Sequence, residues 1–225
     1  MTPRRLDAVI FDLDGTLIDS MGIWLEVDAE FLRRRGIDPP DNLFDDLAEG
    51  NSFEEVAAYF KSRFALNETV QEIMAEWTQM VAQHYRTSVP LKPGVRPFLE
   101  RLRVAGVRLG IGTSNNETLA RVALEANGVA DWFDCLVVGG GELRGKPFPD
   151  IFLAAARYLG AQSEHCLVIE DVLVGVQAAR SAGMTVLAVR DESAKHEWSA
   201  IASEAELLAD DFFAIADWVM QRYGV

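Results

Sequence analysis

Apolar and polar positions follow two different patterns along the chain, with the change close to residue 90. Before it, apolar side chains recur at helical spacing in three stretches, MGIWLEVDAEFLRRRGI, SFEEVAAYFKSRFAL and TVQEIMAEWTQMVAQHY. Ser52, followed three residues later by Glu55, predicts a capping box at the start of the second helix. These stretches therefore predict a helical segment without strands.

From Pro90 onward, short apolar runs alternate with amphipathic stretches. The runs RLGIGT, FDCLVVGG, HCLVIED and TVLAVRD predict strands, and residues 6–11 predict one further buried strand near the N-terminus. Strands that alternate with helices over short connections are typical of a parallel sheet. We therefore expect an α/β fold, a Rossmann-like parallel sheet with helices on both faces and an inserted α-helical cap.

The two patterns also predict the domain organisation. Residues 1–19 and 90–225 would form the α/β core, and residues 20–89 would form a helical cap inserted after the first strand. Folds of this class bind ligands at the carboxyl end of the sheet, which is where the insertion begins. A helical insertion at this position is suited to act as a lid.

Charge and composition narrow the classes of function. The net charge of -14 argues against binding to nucleic acid, because a polyanion would be repelled. No apolar run approaches the roughly 20 residues that span a bilayer, and the N-terminus lacks a signal-peptide pattern. Two cysteines in predicted strands fit small core residues in a reducing compartment, so we expect a cytoplasmic protein.

Two predicted strands end in carboxylates, which is unusual for apolar strands. Asp12 and Asp14 follow the first strand in VIFDLDGT, and Glu170 and Asp171 follow a later one in CLVIED. Residues i and i+2 of an extended chain point to the same side, and unpaired carboxylates that converge repel each other. A hard cation such as Mg²⁺ relieves this repulsion, whereas a solvated turn is the alternative for the first pair. Two such strand ends together indicate a shared metal site.

Two further stretches offer groups for an anion. Thr113, Ser114 and Asn115 follow a strand, where they would either cap the next helix or form an anion cradle. Lys146 fits the pattern G-x-x-x-x-G-K, but Pro147 stands where a P-loop has Ser or Thr, so we reject a P-loop. A surface lysine is the ordinary alternative, although a lysine in this loop is available to bind phosphate.

Together the stretches DLDGT, GTSN, GKP and VIED, in this order, resemble the haloacid dehalogenase superfamily, whose members are mostly phosphotransferases. The resemblance implies that Asp12 is the nucleophile and that Asp14 is the general acid and base. It implies further roles in phosphoryl and metal binding. Thr113 would hold phosphoryl oxygens with help from Ser114 and Asn115, Lys146 would neutralise charge, and Mg²⁺ would bind Asp12, Asp171, the main-chain carbonyl of Asp14 and, directly or through water, Glu170.

The position two residues after the nucleophile distinguishes the chemistries of this superfamily. Its phosphatases and phosphomutases have aspartate there, as this chain does at Asp14, so we expect no carbon–halogen cleavage. β-Phosphoglucomutases also have a histidine and an arginine in the cap. Here Trp24 stands near the expected histidine, and residues 49–53 contain no arginine. Without that cation a second phosphate would be poorly held.

We therefore expect a magnesium-dependent phosphatase that acts on a small phosphorylated metabolite. A β-phosphoglucomutase-like mutase and a non-catalytic phosphate-binding module are the alternatives. No nucleic-acid or membrane partner is expected, and the oligomeric state is left open. Trp24, Asn51 and Ser52 would line the substrate pocket, although aromatic residues at helical spacing also pack inside helical bundles.

Overall fold

A six-stranded parallel sheet forms the centre of the protein in the computed structural model, which describes residues 5–44 and 52–225. The strand order is β3-β2-β1-β4-β5-β6, and every neighbouring pair is parallel. The strands are β1 (Ala8–Phe11), β2 (Arg108–Thr113), β3 (Cys135–Val138), β4 (Cys166–Glu170), β5 (Thr185–Val189) and β6 (Leu208–Ala209).

Helices cover both faces of this sheet. The α-helices are α1 (Met21–Arg33), α2 (Phe53–Arg63), α3 (Val70–Thr87), α4 (Val95–Val104), α5 (Glu117–Ala126), α6 (Asp150–Tyr158), α7 (Leu173–Ser181), α8 (Trp198–Glu204) and α9 (Phe212–Tyr223). Val9 and Phe11 belong to a core that includes α4, α5 and α9. Ala8 and Ile10 belong to a second core with α6, α7 and α8. The predicted α/β class with helices on both faces is confirmed.

The central position of β1 determines where a ligand site can form. Successive side chains of a strand point to opposite faces, so a strand covered on both sides must be apolar throughout, as AVIF is. β1 lies between β2 and β4. β3 lies beyond β2 on one side of it, and β5 and β6 lie beyond β4 on the other. The carboxyl ends of β1 and β4 therefore flank the point where the strand order reverses, which is where such sheets bind ligands.

The helices α1, α2 and α3, which we call the helical segment, pack around a group of aromatic residues that belongs to the same core as Val9 and Phe11. Phe31, Phe60 and Trp77 are buried there, and the rings of Phe60 and Trp77 pack edge to face with centroids 4.8 Å apart. Ser52 and Glu55 form the predicted capping box at the start of α2. These three aromatic residues therefore pack inside the helical segment, as aromatic residues at helical spacing commonly do.

The chain leaves and rejoins the sheet along two adjacent paths. Ile18 and Leu91 form an antiparallel bridge, and the amide of Asp19 donates to the carbonyl oxygen of Pro90 at 3.0 Å. Lys92 then forms a buried ion pair with Asp191 just after β5, with Nζ and Oδ2 2.7 Å apart. The first two contacts join the two connections between the sheet and the helical segment, and the ion pair joins the second connection to the end of β5.

Some elements differ from the sequence prediction. β6 and α8 were not predicted, because β6 has only two residues and α8 only seven. α7 begins at Leu173, whereas the sequence GVQAARSAGM predicts a helix that begins at Gly175. None of the described helices is long and apolar enough to cross a membrane.

Candidate active site

The predicted site residues of three neighbouring strands lie at one edge of the sheet. Asp12 follows β1, Thr113 ends β2 and Glu170 ends β4. The amide of Asp12 donates to the carbonyl oxygen of Ile169 at 3.0 Å, which holds the ends of β1 and β4 in register. The parallel topology therefore brings together residues that are far apart in sequence.

Lys146 lies at the centre of this edge and is only 6% exposed. Its Nζ is 2.6 Å from Oδ1 of Asp12 and also contacts the Glu170 carboxylate. Burial alone would lower the pKa of Lys146, but the two carboxylates raise it above its ordinary value. Lys146 is thus a buried cation, and the surface-lysine alternative is wrong.

Asp12, Glu170 and Asp171 form the acidic cluster, whose ligand atoms lie within 4.8 Å of one another. When all three are ionised, three carboxylates face one lysine ammonium, so two negative charges remain uncompensated. Burial raises the pKa of Asp12 to about 7, against the opposing effect of Lys146. Burial, together with Glu170 and Asp12, raises the pKa of Asp171 well above its usual range. The site therefore favours a compensating positive charge.

The surroundings of Asp171 fit a divalent cation. Its Oδ1 accepts a hydrogen bond from Oγ1 of Thr16 at 2.7 Å, whereas its buried Oδ2 has no hydrogen-bond partner among the described residues. Gly15 is beside that oxygen, and a Cβ at Gly15 would overlap Oδ2. The free oxygen, the absence of a side chain beside it and the all-oxygen donor set suit Mg²⁺ or a similar hard cation.

Asp14 lies beside the acidic cluster, but its carboxylate has different partners. Its Oδ1 accepts from Oγ of Ser20 at 2.7 Å, from Nε1 of Trp24 at 3.2 Å and from the Tyr85 hydroxyl. Its Oδ2 accepts from Nδ2 of Asn115 at 2.8 Å. The side chain is not part of the acidic cluster. Metal binding through the main-chain carbonyl of Asp14 stays a prediction.

Tyr85 is a further residue of this site that the sequence pattern did not indicate. Tyr85 is 1% exposed and comes from the last turns of α3, where the periodic pattern predicted only packing. Burial, the charge of Asp14 and the hydrogen bond to it raise the pKa of Tyr85 well above its ordinary value, so the hydroxyl keeps its proton. The only signal in the sequence for a role in the site was a tyrosine on a helix face that is otherwise apolar.

The loop after β2 contributes polar groups from its side chains and main chain. Oγ1 of Thr113 accepts from the Asn115 amide at 3.1 Å, and the carbonyl oxygen of Ser114 accepts from the Phe53 amide at 3.3 Å. The N-cap of α5 is Asn116, whose Oδ1 accepts from the Leu119 amide. The three predicted residues are therefore not the helix cap, and their role in phosphate binding stays a prediction.

The predicted substrate-pocket residues have different positions. Trp24 reaches the site and contacts Asp14. Ser52 is buried and caps α2, at one end of a groove of about 420 Å³ whose other wall is the loop 140–145. Asn51 lies outside the described residues. The assignment of these residues to the substrate pocket stays a prediction.

The comparisons with known proteins agree with this geometry. The model of the haloacid dehalogenase-like hydrolase family matches residues 9–189. The chain belongs to this family. The match covers the ends of β1, β2 and β4 and Lys146, so the predicted resemblance and the prediction of a phosphatase-type enzyme of this family are confirmed.

Relatives of this haloacid dehalogenase-like hydrolase include named phosphatases. Hexitol phosphatase A of Escherichia coli is 29% identical over 82% of this chain and 83% of its own. Validoxylamine A 7'-phosphate phosphatase of Streptomyces hygroscopicus is 30% identical over 90% of this chain and 92% of its own. The crystal structure of CbbY from Rhodobacter sphaeroides in complex with phosphate superimposes with a TM-score of 0.82 at 24% identity, over 92% of this chain and 95% of that chain. That likeness shows the shared fold.

Gly175 of this haloacid dehalogenase-like hydrolase leaves room for the Glu170 carboxylate. A Cβ added at Gly175 would overlap that carboxylate. We expect Gly175→Ala to displace Glu170 from Lys146 and to lower the free energy of unfolding by about 1–3 kcal/mol, as overpacking commonly does. Urea unfolding would measure this. Gly22→Ala is the matched control, because Gly22 lies in α1 with no atom close to an added Cβ, and this variant should not be destabilised.

Proposed function

We propose that the protein is a magnesium-dependent phosphatase that hydrolyses a small sugar or polyol phosphomonoester through an aspartyl-phosphate. One observation carries the proposal: the Asp12 carboxylate is 2.6 Å from a buried lysine ammonium and belongs to an acidic cluster with an unpartnered oxygen. A nucleophilic carboxylate needs this environment, because it must approach a phosphoryl group that is itself negatively charged.

The residues supply both steps of the reaction. In the first step an oxygen of Asp12 attacks phosphorus, the bond from phosphorus to the ester oxygen breaks, and protonated Asp14 gives its proton to that oxygen. In the second step Asp14 takes a proton from water, and the water oxygen attacks phosphorus. The bond from phosphorus to the Asp12 oxygen breaks, which releases inorganic phosphate and free Asp12. Lys146 and Thr113 would hold the phosphoryl oxygens.

Asp12, Asp171 and Glu170 would hold Mg²⁺, with the main-chain carbonyl of Asp14. When bound, the ion supplies positive charge that offsets the charge of the acidic cluster and of the phosphoryl oxygens. The unpartnered Oδ2 of Asp171 supports this assignment.

The proposed class of substrate rests on the groove at the start of α2. Glu54 and Glu55 line it from the helical segment, opposite the glycine-rich loop 140–145. Carboxylates and main-chain groups suit hydroxyl groups of a sugar or polyol, and the carboxylates would repel a second phosphate. The names of the two relatives, a hexitol phosphatase and a validoxylamine phosphate phosphatase, support a polyhydroxylated leaving group. We also propose that residues 20–89 act as a cap that covers this site.

The test is phosphate release from a panel of sugar phosphates, hexitol phosphates, phosphoglycolate and nucleoside monophosphates, with Mg²⁺ and with chelator. We expect release from sugar or hexitol monophosphates that requires Mg²⁺. The panel includes β-glucose 1-phosphate with its bisphosphate activator. Formation of glucose 6-phosphate with little release of phosphate would instead establish a mutase, and saturable binding without turnover would establish a phosphate-binding module.

A further inference from the structure

We propose that Tyr85 is a positioning residue that orients the Asp14 carboxyl group for proton transfer to the leaving oxygen. The inference rests on the proposed function, because Asp14 has this task only in a phosphomonoesterase. Nothing in the sequence pattern assigns Tyr85 a role beyond packing.

The Tyr85 hydroxyl is at the centre of a closed hydrogen-bond network. It donates to Oδ1 of Asp14, and it accepts from Nε1 of Trp24 at 3.1 Å and from Nδ2 of Asn115 at 3.4 Å. Trp24 and Asn115 also donate to Asp14 directly. Tyr85 thus contacts the carboxyl group and two of the three other side chains that donate to it, the third being Ser20.

The four side chains that donate to Asp14 come from different parts of the fold. Tyr85 and Trp24 belong to α3 and α1 of the helical segment, whereas Asn115 follows β2 and Ser20 precedes α1. A carboxyl group rotates easily about its side-chain bonds, and donors from several directions limit that rotation. The tyrosine ring itself is buried and packs edge to face against Trp24, with centroids 6.5 Å apart, so the hydroxyl has a fixed position.

The consequence for catalysis depends on the leaving group. An alkoxide from a sugar or polyol phosphate is a poor leaving group and requires the proton of Asp14. The p-nitrophenolate ion is stable without protonation, so hydrolysis of p-nitrophenyl phosphate depends far less on a well-oriented general acid in the first step. A loss of orientation should therefore affect the two substrates unequally in kcat/KM, which reports on that first step.

The experiment compares Tyr85→Phe with wild type on the best alkyl phosphomonoester of the panel and on p-nitrophenyl phosphate. We expect kcat/KM for the alkyl ester to fall about tenfold or more, within the roughly 10²–10⁴-fold that general acid–base catalysis supplies. The aryl ester should change by less than about threefold. Tyr59→Phe is the matched control. It removes a hydroxyl of the same helical segment that donates to the carbonyl oxygen of Leu43, and both esters should be hydrolysed as by wild type.

Equal losses on both esters would overturn the inference, because they would indicate general damage to the site. An unchanged kcat/KM for both esters would overturn it as well. Should Tyr85→Phe fail to fold, the same ratio for Tyr85→Met decides, since methionine also lacks the hydroxyl that donates to Asp14 and its flexible side chain adapts to irregular space in a core. Wild-type protein that releases phosphate from neither ester would overturn the proposed function and with it this inference. The two failures are therefore distinguishable.

Discussion

Asp12→Asn should abolish phosphate release, with kcat lowered by roughly three orders of magnitude or more, as is usual when a nucleophile is removed. The amide has nearly the shape of the carboxylate but cannot form the aspartyl-phosphate. Oδ1 of Asp12 is the atom that Lys146 contacts at 2.6 Å, so one of the two negative charges in contact with the lysine is lost. Steady-state phosphate release on the best substrate of the panel would measure the effect.

The change should not unfold the protein. Asp12 is buried and its pKa is raised to about 7, so its ionised form costs folding free energy at neutral pH. Asp12→Asn removes one charge of the acidic cluster and leaves Lys146 paired with Glu170. Thermal unfolding of the metal-free variant at neutral pH should thus occur at or above the wild-type temperature. A variant that folds normally and retains a tenth of wild-type activity would exclude Asp12 as the nucleophile.

Asp7→Asn is a suitable control for Asp12→Asn. Asp7 precedes β1, at the opposite end of the strand, where its side chain pairs with Arg5. The substitution removes a carboxylate from the same part of the chain without reaching the acidic cluster. We expect it to leave kcat unchanged.

The strand-end residues could be predicted from the sequence because two local rules combine. An apolar run that ends in acids is visible in the sequence, and parallel strands necessarily bring their carboxyl ends to one edge. These two rules are enough to predict that Asp12, Glu170 and Asp171 lie together. Lys146 needed the family resemblance, since a lysine in a polar loop otherwise suggests a solvated side chain.

Tyr85 could not be predicted because its contact with Asp14 depends on how the helical segment packs on the core. The two residues are 71 positions apart, and no pattern within α3 states which end of the helix approaches the site. Trp24 was placed near the site because it stands close to the position of the β-phosphoglucomutase histidine, but its indole hydrogen bond to Asp14 depends on the same packing. Side-chain contacts between the helical segment and the core are therefore the part that the sequence left undetermined.

Asp171→Asn should have opposite effects on activity and on the stability of the metal-free protein. Activity should fall roughly 100-fold or more, because a bound cation is worth several kcal/mol of transition-state stabilisation. The metal-free protein should gain stability at pH 7.5, because burial and the neighbouring carboxylates disfavour the ionised form of Asp171 and raise its pKa. The new amide nitrogen would occupy the position of the unpartnered Oδ2 and could donate to the neighbouring carboxylates.

The pH dependence follows from the direction of the pKa shifts. Asp12 and Asp171 have a raised pKa in the folded protein, so the folded state holds protons that the unfolded chain has already released. Stability of the metal-free protein should therefore fall as pH rises from about 4 to about 7. Mg²⁺ binds the ionised carboxylates, so its stabilising effect should grow over the same range. Urea unfolding from pH 5 to 8, with chelator or with Mg²⁺, measures both trends.

Asp191→Asn shows whether the stabilisation expected of Asp171→Asn is a general response to the loss of a buried carboxylate. Burial alone would raise the pKa of Asp191, but hydrogen bonds from Lys92 and Ser193 hold it below its usual range. Its removal leaves Lys92 buried without its ionic partner, so this variant should lose stability at pH 7.5 and still respond to Mg²⁺. If Asp171→Asn behaved in the same way, the acidic cluster would not be the metal site. The unpartnered oxygen of Asp171 would then need a different explanation.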